Sequence, residues 1–320
     1  MKNKILYIVV PCYNEEEVLN ETTKRLDEKL NTLISKKIIS NKSRVMYVND
    51  GSKDNTWNLI CEISKKNKLF TGACLSRNRG HQNALLAGLM TAKKYADFVI
   101  SMDADLQDDI DAIDEMIEKY YSGSEIVYGV RSARKKDTWF KKTTAESFYK
   151  FMKKMDVDIV FNHADYRLTS KKVLDNLESY KETNLFLRGI FPTIGYKNDI
   201  VYYERNERFA GESKYPLKKM LNFAWDGITS FSTKPLRIIT KLSILNIFLS
   251  VLSLITTIIL NIFIVDIPLI YILLCALWII ISATFLSIAI IGEYVGKIYT
   301  EVKQRPRYII SEIVGDINDK

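Results

Sequence analysis

Asp103-Ala104-Asp105 places two carboxylates one residue apart, directly after the apolar run Phe98–Met102, and Gln107 adds a neutral oxygen donor two residues on. Carboxylates so spaced at a strand end can address one ligand together. Hard divalent cations take oxygen ligands, and Mg2+ often bridges one or two carboxylates to the phosphates of a substrate. An Asp-x-Asp pair alone also arises by chance, so its company matters. Three more polar motifs follow apolar runs: Val10-Pro11-Cys12-Tyr13-Asn14-Glu15, Asn49-Asp50-Gly51-Ser52-Lys53-Asp54 and Ser76-Arg77-Asn78-Arg79-Gly80. The two histidines, His81 and His163, lack metal-ligand spacing to another His or Cys. His81, next to Gly80, reads equally as a phosphate contact or as the plain start of a helix. The four cysteines show no CxxC spacing, which argues against a zinc site or a disulfide framework and fits reduced thiols.

These motifs need elements that bring them to one place. Ile5–Val10 is a continuous apolar run, as in a strand buried on both faces. Further strands are predicted at Val45–Val48, Thr71–Leu75, Phe98–Met102 and Ile126–Tyr128. Helices are predicted at Glu15–Ile34, Thr56–Lys66, Gln82–Tyr95 and Ile110–Tyr120. Repeated β-α-β units imply a mostly parallel sheet with helices on both faces, and ligands of such sheets bind beyond the carboxyl ends of the strands. All four motifs sit at those ends. Arg131–Lys154 carries nine Lys or Arg with aromatics between them and no Pro or Gly, and reads as helical.

The rest of the 320 residues has a different character. The mean hydropathy of −0.06 hides a window, Leu242 to Gly292, with no Lys or Arg and one acid, Asp266. Two apolar runs fill it, Leu242–Val265 and Ile267–Ile291. At ~1.5 Å rise per residue, each reaches roughly 36 Å, enough to cross a hydrocarbon core of about 30 Å. The alternative, a buried hairpin in a soluble protein, suits neither this length nor this lack of charge. Lys234, Arg237 and Lys241 precede the first run, and Lys297, Lys303, Arg305 and Arg307 follow the second; the short linker has no basic residue. The positive-inside rule then puts the N-terminal domain and both termini in the cytoplasm. Met1-Lys2-Asn3-Lys4 leads straight into a strand, so no leader peptide is expected. Leu217–Ser232 is amphipathic. Just before a span, it reads as a helix in the headgroup region or as an ordinary surface helix. The net charge of +8 suits an anionic membrane surface, and no nucleic-acid partner is expected.

Taken together, the motifs resemble the family 2 glycosyltransferases of the GT-A fold. More narrowly, they resemble the polyprenyl-phosphate glycosyltransferases, which include dolichol-phosphate mannose synthase and bacterial undecaprenyl-phosphate glucosyltransferases. The resemblance extends through Tyr128-Gly129-Val130-Arg131, Asp165-Tyr166-Arg167-Leu168, Phe186-Leu187-Arg188-Gly189, Arg208–Tyr215 and Gly292–Tyr299. It implies an α/β, Rossmann-like domain over 1–213, an amphipathic interfacial region over 214–234, a transmembrane hairpin over 235–293 and a cytosolic tail over 294–320. By the same resemblance Pro11, Tyr13, Asn14 and Glu15 line the nucleotide-base pocket, Asp50 reads the base, and Ser52 and Arg77 contact the donor. Asp103 sits against the donor, and Asp105 and Gln107 bind a divalent cation, Mg2+ or Mn2+, on its diphosphate. Asp165 matches the candidate base near the acceptor, and Arg131, Arg208 and Lys214 match positions near the acceptor phosphate. Arg188 either joins them or braces a loop. The implied partners are a nucleotide sugar, with UDP-glucose first, a polyprenyl phosphate in a bacterial cytoplasmic membrane, and further copies of the chain in a tetramer.

A phosphate monoester has a second pKa near ~6 and is largely a dianion at neutral pH. It needs little help from a base, so Asp165 reads either as a base or as an orienting residue. Two rivals are a processive polysaccharide synthase and a catalytically silent membrane scaffold. The first usually carries a Gln-x-x-Arg-Trp motif and more spans, absent here. The intact acidic motif and basic residues argue against the second. A nucleotidyltransferase lacks its Gly-rich, Lys-containing loop in this sequence.

Overall fold

Leu6–Cys12 is buried along its whole length and forms the central strand β1. Its alternate side chains feed two cores: Leu6, Ile8 and Val10 pack into one, Tyr7 and Val9 into the other. A strand covered on both faces has no polar side, which explains the unbroken apolar run. The computed structural model describes residues 3–132, 163–182, 186–204, 232, 234–263 and 269–317.

From β1 the chain continues through α1 (Leu19–Ser35), β2 (Arg44–Asn49), α2 (Thr56–Lys66), β3 (Phe70–Leu75), α3 (His81–Ala92), β4 (Phe98–Ser101), α4 (Ala112–Tyr121) and β5 (Ile126–Arg131). Then come β6 (His163–Ser170), α5 (Lys171–Leu177), α6 (Leu187–Ile194), β7 (Asn198–Tyr203), α7 (Lys234–Phe263), α8 (Leu269–Val302) and β8 (Ile310–Val314). One eight-stranded sheet runs β7-β5-β6-β4-β1-β2-β3-β8. It is mostly parallel, as expected; only β6 and β8 oppose the other strands. On one face lie the apolar stripes of α1 (Leu19, Leu26, Leu30, Leu33) and α4 (Ile113, Met116, Ile117). On the other lie α3, α5 and α6, with Leu86, Leu174 and Phe191 among the residues packed there.

The five predicted strands and four predicted helices form within a few residues of the expected bounds. Strands β6, β7 and β8 are additions. The most consequential is β8. Expected only as part of a tail, it returns to the sheet and pairs antiparallel with β3, Gly72 opposite Val314 and Ala73 opposite Ile313. The Arg44 guanidinium lies beside Asp316 on this returning segment.

The apolar runs form two long helices whose side chains are largely exposed. Both helices extend past the apolar runs. Lys234, Arg237 and Lys241 lie on the first turns of α7, and Gly292–Tyr299 continues α8. Lys, Arg and Glu are good helix formers, so a change of polarity does not end a helix. The Tyr294 hydroxyl donates to the Ser232 carbonyl at 2.7 Å, tying α8 to the entrance of α7. Arg208, Lys214, Leu217–Phe231, most of the basic stretch after Arg131 and the hairpin linker lie outside the described residues.

Candidate active site

Strand order reverses beside β1: β2 and β3 lie on one side and β4 on the other. Such a switch point opens a crevice at the carboxyl edge of the sheet. The loops after β1 and β4 flank it, which places Tyr13–Glu15 opposite Asp103–Asp108.

The loops after β1 and β2 brace one another. The Asn14 N–H donates to the Ser52 hydroxyl at 3.0 Å, and the Lys53 N–H returns to the Asn14 side-chain oxygen at 2.9 Å. Asn14 holds φ 55°, a left-handed backbone that Asn tolerates better than most residues. Asp50 is buried, and its two oxygens accept the N–H groups of Arg79 (2.7 Å) and Gly80 (2.9 Å). Burial raises its carboxyl, and those two bonds pull the other way. Asp50 therefore anchors the loop after β3. Gly51 lets that loop approach: at φ 64°, a Cβ there would stand 2.5 Å from the Asn78 nitrogen. Tyr13 and Arg77 are exposed at the rim, and Pro11 is buried at the end of β1.

Across the crevice, Leu106 adopts φ 57° although it is buried and is not glycine. This sparsely populated backbone sits in the turn between Asp105 and Gln107, where the Gln107 N–H donates to Asp105 Oδ1 at 3.2 Å. Asp108 points inward, its side chain fully buried. It accepts the Tyr203 hydroxyl at 2.5 Å and pairs with Arg131 Nη2 at 3.3 Å, while Arg131 Nε donates to the Tyr203 oxygen at 3.2 Å. Burial works against the Arg131 charge, but Asp108 and Tyr203 outweigh it and hold the guanidinium firmly protonated.

Asp165 stands at the centre of the second cluster. β6 runs antiparallel to β4 with Arg167 opposite Ser101, a register that brings Asp165 to the level of Asp103. The Asp165 carboxylate accepts from Arg167 Nη2 at 2.6 Å, from Arg188 Nε and Nη2 at 3.3 and 3.0 Å, and from Gln82 Nε2 at 3.4 Å. Arg167 has no exposed side-chain surface, and its guanidinium stacks 4.3 Å from the Phe191 ring centre. Burial alone would raise Asp165; Arg188, His81 and Arg167 overcome it and hold the carboxyl well below its usual range. His81 Nε2 lies 3.5 Å from Asp165 Oδ2 and 3.7 Å from Asp103 Oδ1. Burial disfavours its charge, yet the Asp165 bond and the Asp103 charge lift it to about 9. Asp103 is pushed up to about 6 by burial; His81 opposes this, and Asp108, Asp165 and Asp105 add to it.

One sheet edge thus gathers Pro11, Tyr13, Asn14, Glu15, Asp50, Ser52, Arg77, Asp103, Asp105, Gln107, Arg131 and Asp165. Sequence reasoning gave no role to Gln82, Asp108, Arg167 or Tyr203. Two of these carried a signal: Asp108 as the acid that follows Gln107, and Arg167 within Asp165-Tyr166-Arg167-Leu168. Arg188 sits in the first turn of α6 and reaches Asp165, so it is part of the cluster. Among the described residues, no group of three or more His, Cys, Asp or Glu side chains is arranged to hold a metal by itself.

The sequence profile described as Glycosyl transferase family 2 matches residues 7–178, which span β1 to the end of α5. Curated relatives extend the match over the rest. YkoT of Bacillus subtilis (strain 168), described as an uncharacterized glycosyltransferase, is 51% identical over 306 residues, 96% of this chain and 91% of that protein. The SfII prophage-derived bactoprenol glucosyl transferase of Shigella flexneri is 37% identical over 310 residues, 95% and 97% of the two chains. The prophage bactoprenol glucosyl transferase homolog of Escherichia coli (strain K12) is 37% identical over 314 residues, 96% and 98%. With a matching profile over more than half of its length and relatives aligned nearly end to end, the chain belongs to glycosyl transferase family 2 and is a glycosyltransferase.

Proposed function

We propose that this enzyme moves a hexose from a nucleotide sugar to undecaprenyl phosphate, or a similar polyprenyl phosphate, at the cytoplasmic face of the membrane, with inversion at the anomeric carbon. The observation that carries the reading is the end-to-end similarity, both apolar helices included, to chains described as bactoprenol glucosyl transferases. UDP-glucose is the first donor to test.

The division of labour follows the chain. Residues 1–213 with β8 supply catalysis, 214–234 meet the headgroups, 235–293 cross the bilayer, and 294–320 lead back to the sheet. The path of the chain supports one shared side for the sheet and both hairpin ends. α8 ends at Val302, and by Ile310 the chain is paired with β3. The basic residues at the outer ends favour the cytoplasm for that side.

In the reaction, an acceptor phosphate oxygen attacks the anomeric carbon, the bond from that carbon to the diphosphate oxygen breaks, and nucleoside diphosphate leaves. Pro11, Tyr13, Asn14, Glu15, Asp50, Ser52 and Arg77 form or brace the donor side. Asp103 faces the sugar. Asp105 and Gln107 offer hard oxygen ligands suited to Mg2+ or Mn2+. Such an ion would neutralise charge developing on the departing diphosphate. Arg131 is held by Asp108 and Tyr203 at the end of β5; with Arg208 and Lys214 it offsets repulsion between two phosphate-bearing substrates. The acceptor arrives as a dianion, so no strong base is required. This suits Asp165, whose carboxylate is saturated with cationic donors and poorly basic.

Sugar transfer into extractable lipid, followed in membranes that contain the enzyme, tests the reading. Asp105→Ala is expected to reduce it by ~100-fold or more, as loss of charge stabilisation at the leaving group would. Unchanged transfer, or a product that retains the donor's anomeric configuration, would count against it.

A further inference from the structure

His81 occupies a place that neither the family profile nor the membrane reading explains. It is the first residue of α3, and the two N–H groups just before it, those of Arg79 and Gly80, are fixed by Asp50. Its side chain does not simply begin a helix. Nε2 stands between two carboxylates, 3.7 Å from Asp103 and 3.5 Å from Asp165. Asp103 lies two residues beyond the end of β4 and Asp165 lies on the neighbouring strand β6, so two like charges that repel stand close together.

The two acids differ in how they are held. Asp165 is 5% exposed and pinned by Arg167, Arg188 and Gln82, so it has no freedom to move. The Asp103 side chain is 31% exposed, and among the described residues His81 is the one basic side chain within 4 Å of it. A cation held on one side by a well-anchored anion can orient a less constrained anion on the other.

We propose that His81 is a positioning residue of this glycosyltransferase, linking the half-buried carboxylate of Asp103 to the buried Asp165 anchor and so fixing Asp103 against the donor sugar. Asp165 then acts as the counter-ion of a cationic frame made by His81, Arg167 and Arg188. The inference rests on the reading that Asp103 faces the donor. It does not depend on which acceptor receives the sugar.

The test uses full-length enzyme in detergent with His81→Gln, which keeps hydrogen-bonding capacity and loses the charge, and His81→Lys, which restores a cation. Two rates are read: transfer to undecaprenyl phosphate, and slow acceptor-independent hydrolysis of the nucleotide sugar, followed by nucleoside diphosphate release. If wild-type enzyme hydrolyses the donor but transfers nothing to the lipid, the acceptor reading fails while the hydrolysis arm still reports on His81. His81→Gln is expected to lower kcat in both arms by ~10- to 100-fold with the donor KM within about threefold, because a misplaced group costs turnover more than binding. His81→Lys is expected to recover at least about fivefold of that loss. Thermal unfolding of each variant separates this from misfolding. A kcat for His81→Gln within twofold of wild type would overturn the proposal. So would equal loss in both variants with equally lowered unfolding midpoints, which would make His81 merely structural.

Discussion

Asp165 and Arg167 form an ion pair with almost no solvent access, and the physics of such pairs is asymmetric. Keeping the pair gains little over an apolar substitute, whereas removing one partner strands a buried charge. Asp165→Asn should therefore lower stability by about 3–5 kcal/mol, visible as a large drop in unfolding midpoint at neutral pH. A variant within about 0.5 kcal/mol of wild type would mean that Arg167 finds other partners. The pH dependence has two arms of opposite sign. The folded-state pKa of Asp165 is depressed, so its contribution is present above the ordinary value of 3.8 and is lost as the solution is acidified below it. His81 is raised from 6.5 to about 9, so its contribution is complete below 6.5 and disappears as pH climbs through 9. Unfolding midpoints measured from pH 6 to 10 should fall in wild type across that upper window, and this decrement should be missing in His81→Gln. Parallel curves would contradict the bridge. At this scale the sequence was partly legible. Asp103, Asp105 and Gln107 stand out because paired acids after an apolar strand have few structural uses. The motif Asp165-Tyr166-Arg167-Leu168 was visible, but not that Arg167 would be buried as the partner of Asp165, since an Arg by default lies at the surface. Asp50 shows the same limit. Its position at a strand end was evident, but not that its oxygens would be taken up by the N–H groups of Arg79 and Gly80.

At the level of elements, β1 to β5 and their helices follow from runs such as Ile5–Val10 and from the spacing of Leu19, Leu26, Leu30 and Leu33 in α1. The later strands do not announce themselves. β6 reads His-Ala-Asp-Tyr-Arg-Leu-Thr-Ser, with an acid and a base at positions that a buried strand seldom offers; the Asp165–Arg167 pair is what makes them tolerable there. β8 is five residues long and mostly exposed, with no strong periodicity. It is nonetheless well tied. The Ser76 N–H donates to the Ile309 carbonyl at 2.9 Å, the Ser311 hydroxyl to the Cys74 carbonyl at 3.1 Å, and Arg307 to the Tyr180 carbonyl at 2.8 Å. Ser76 opens the loop that Asp50 holds, so β8 connects the two long apolar helices to the loop after β3. Gly315 permits the close approach: φ is 94°, and a Cβ would lie 2.8 Å from the Phe70 carbonyl oxygen. Gly315→Val should cost ~1–3 kcal/mol locally and loosen β8. Amide exchange at Cys74 and Leu75 should accelerate, and proteolysis after Lys303 should become faster. Unchanged protection would show that the strand tolerates the strain.

For the whole molecule, the length of the hairpin matters as much as its polarity. At ~1.5 Å per residue, α7 and α8 span roughly 45 and 51 Å, well beyond a hydrocarbon core of about 30 Å. Their surplus turns carry Lys234, Arg237 and Lys241 on one helix and Glu293, Lys297 and Glu301 on the other, charges that suit an aqueous setting, as the proposed topology requires. In a variant whose native cysteines are replaced, a cysteine at Asp266 should react with an impermeant thiol reagent from outside the cell, and one at Lys303 only after permeabilisation. The reverse pattern would invert the topology. In the proposed reaction a soluble donor and a membrane-borne phosphate meet at this sheet edge. The most direct measurement offers enzyme-containing membranes a panel of nucleotide sugars with undecaprenyl phosphate and weighs the extracted lipids by mass spectrometry. A new lipid heavier by one hexose is expected with at least one donor, absent when Asp105 is replaced by Ala. No sugar-bearing lipid with any donor, from enzyme that still hydrolyses a nucleotide sugar, would contradict it.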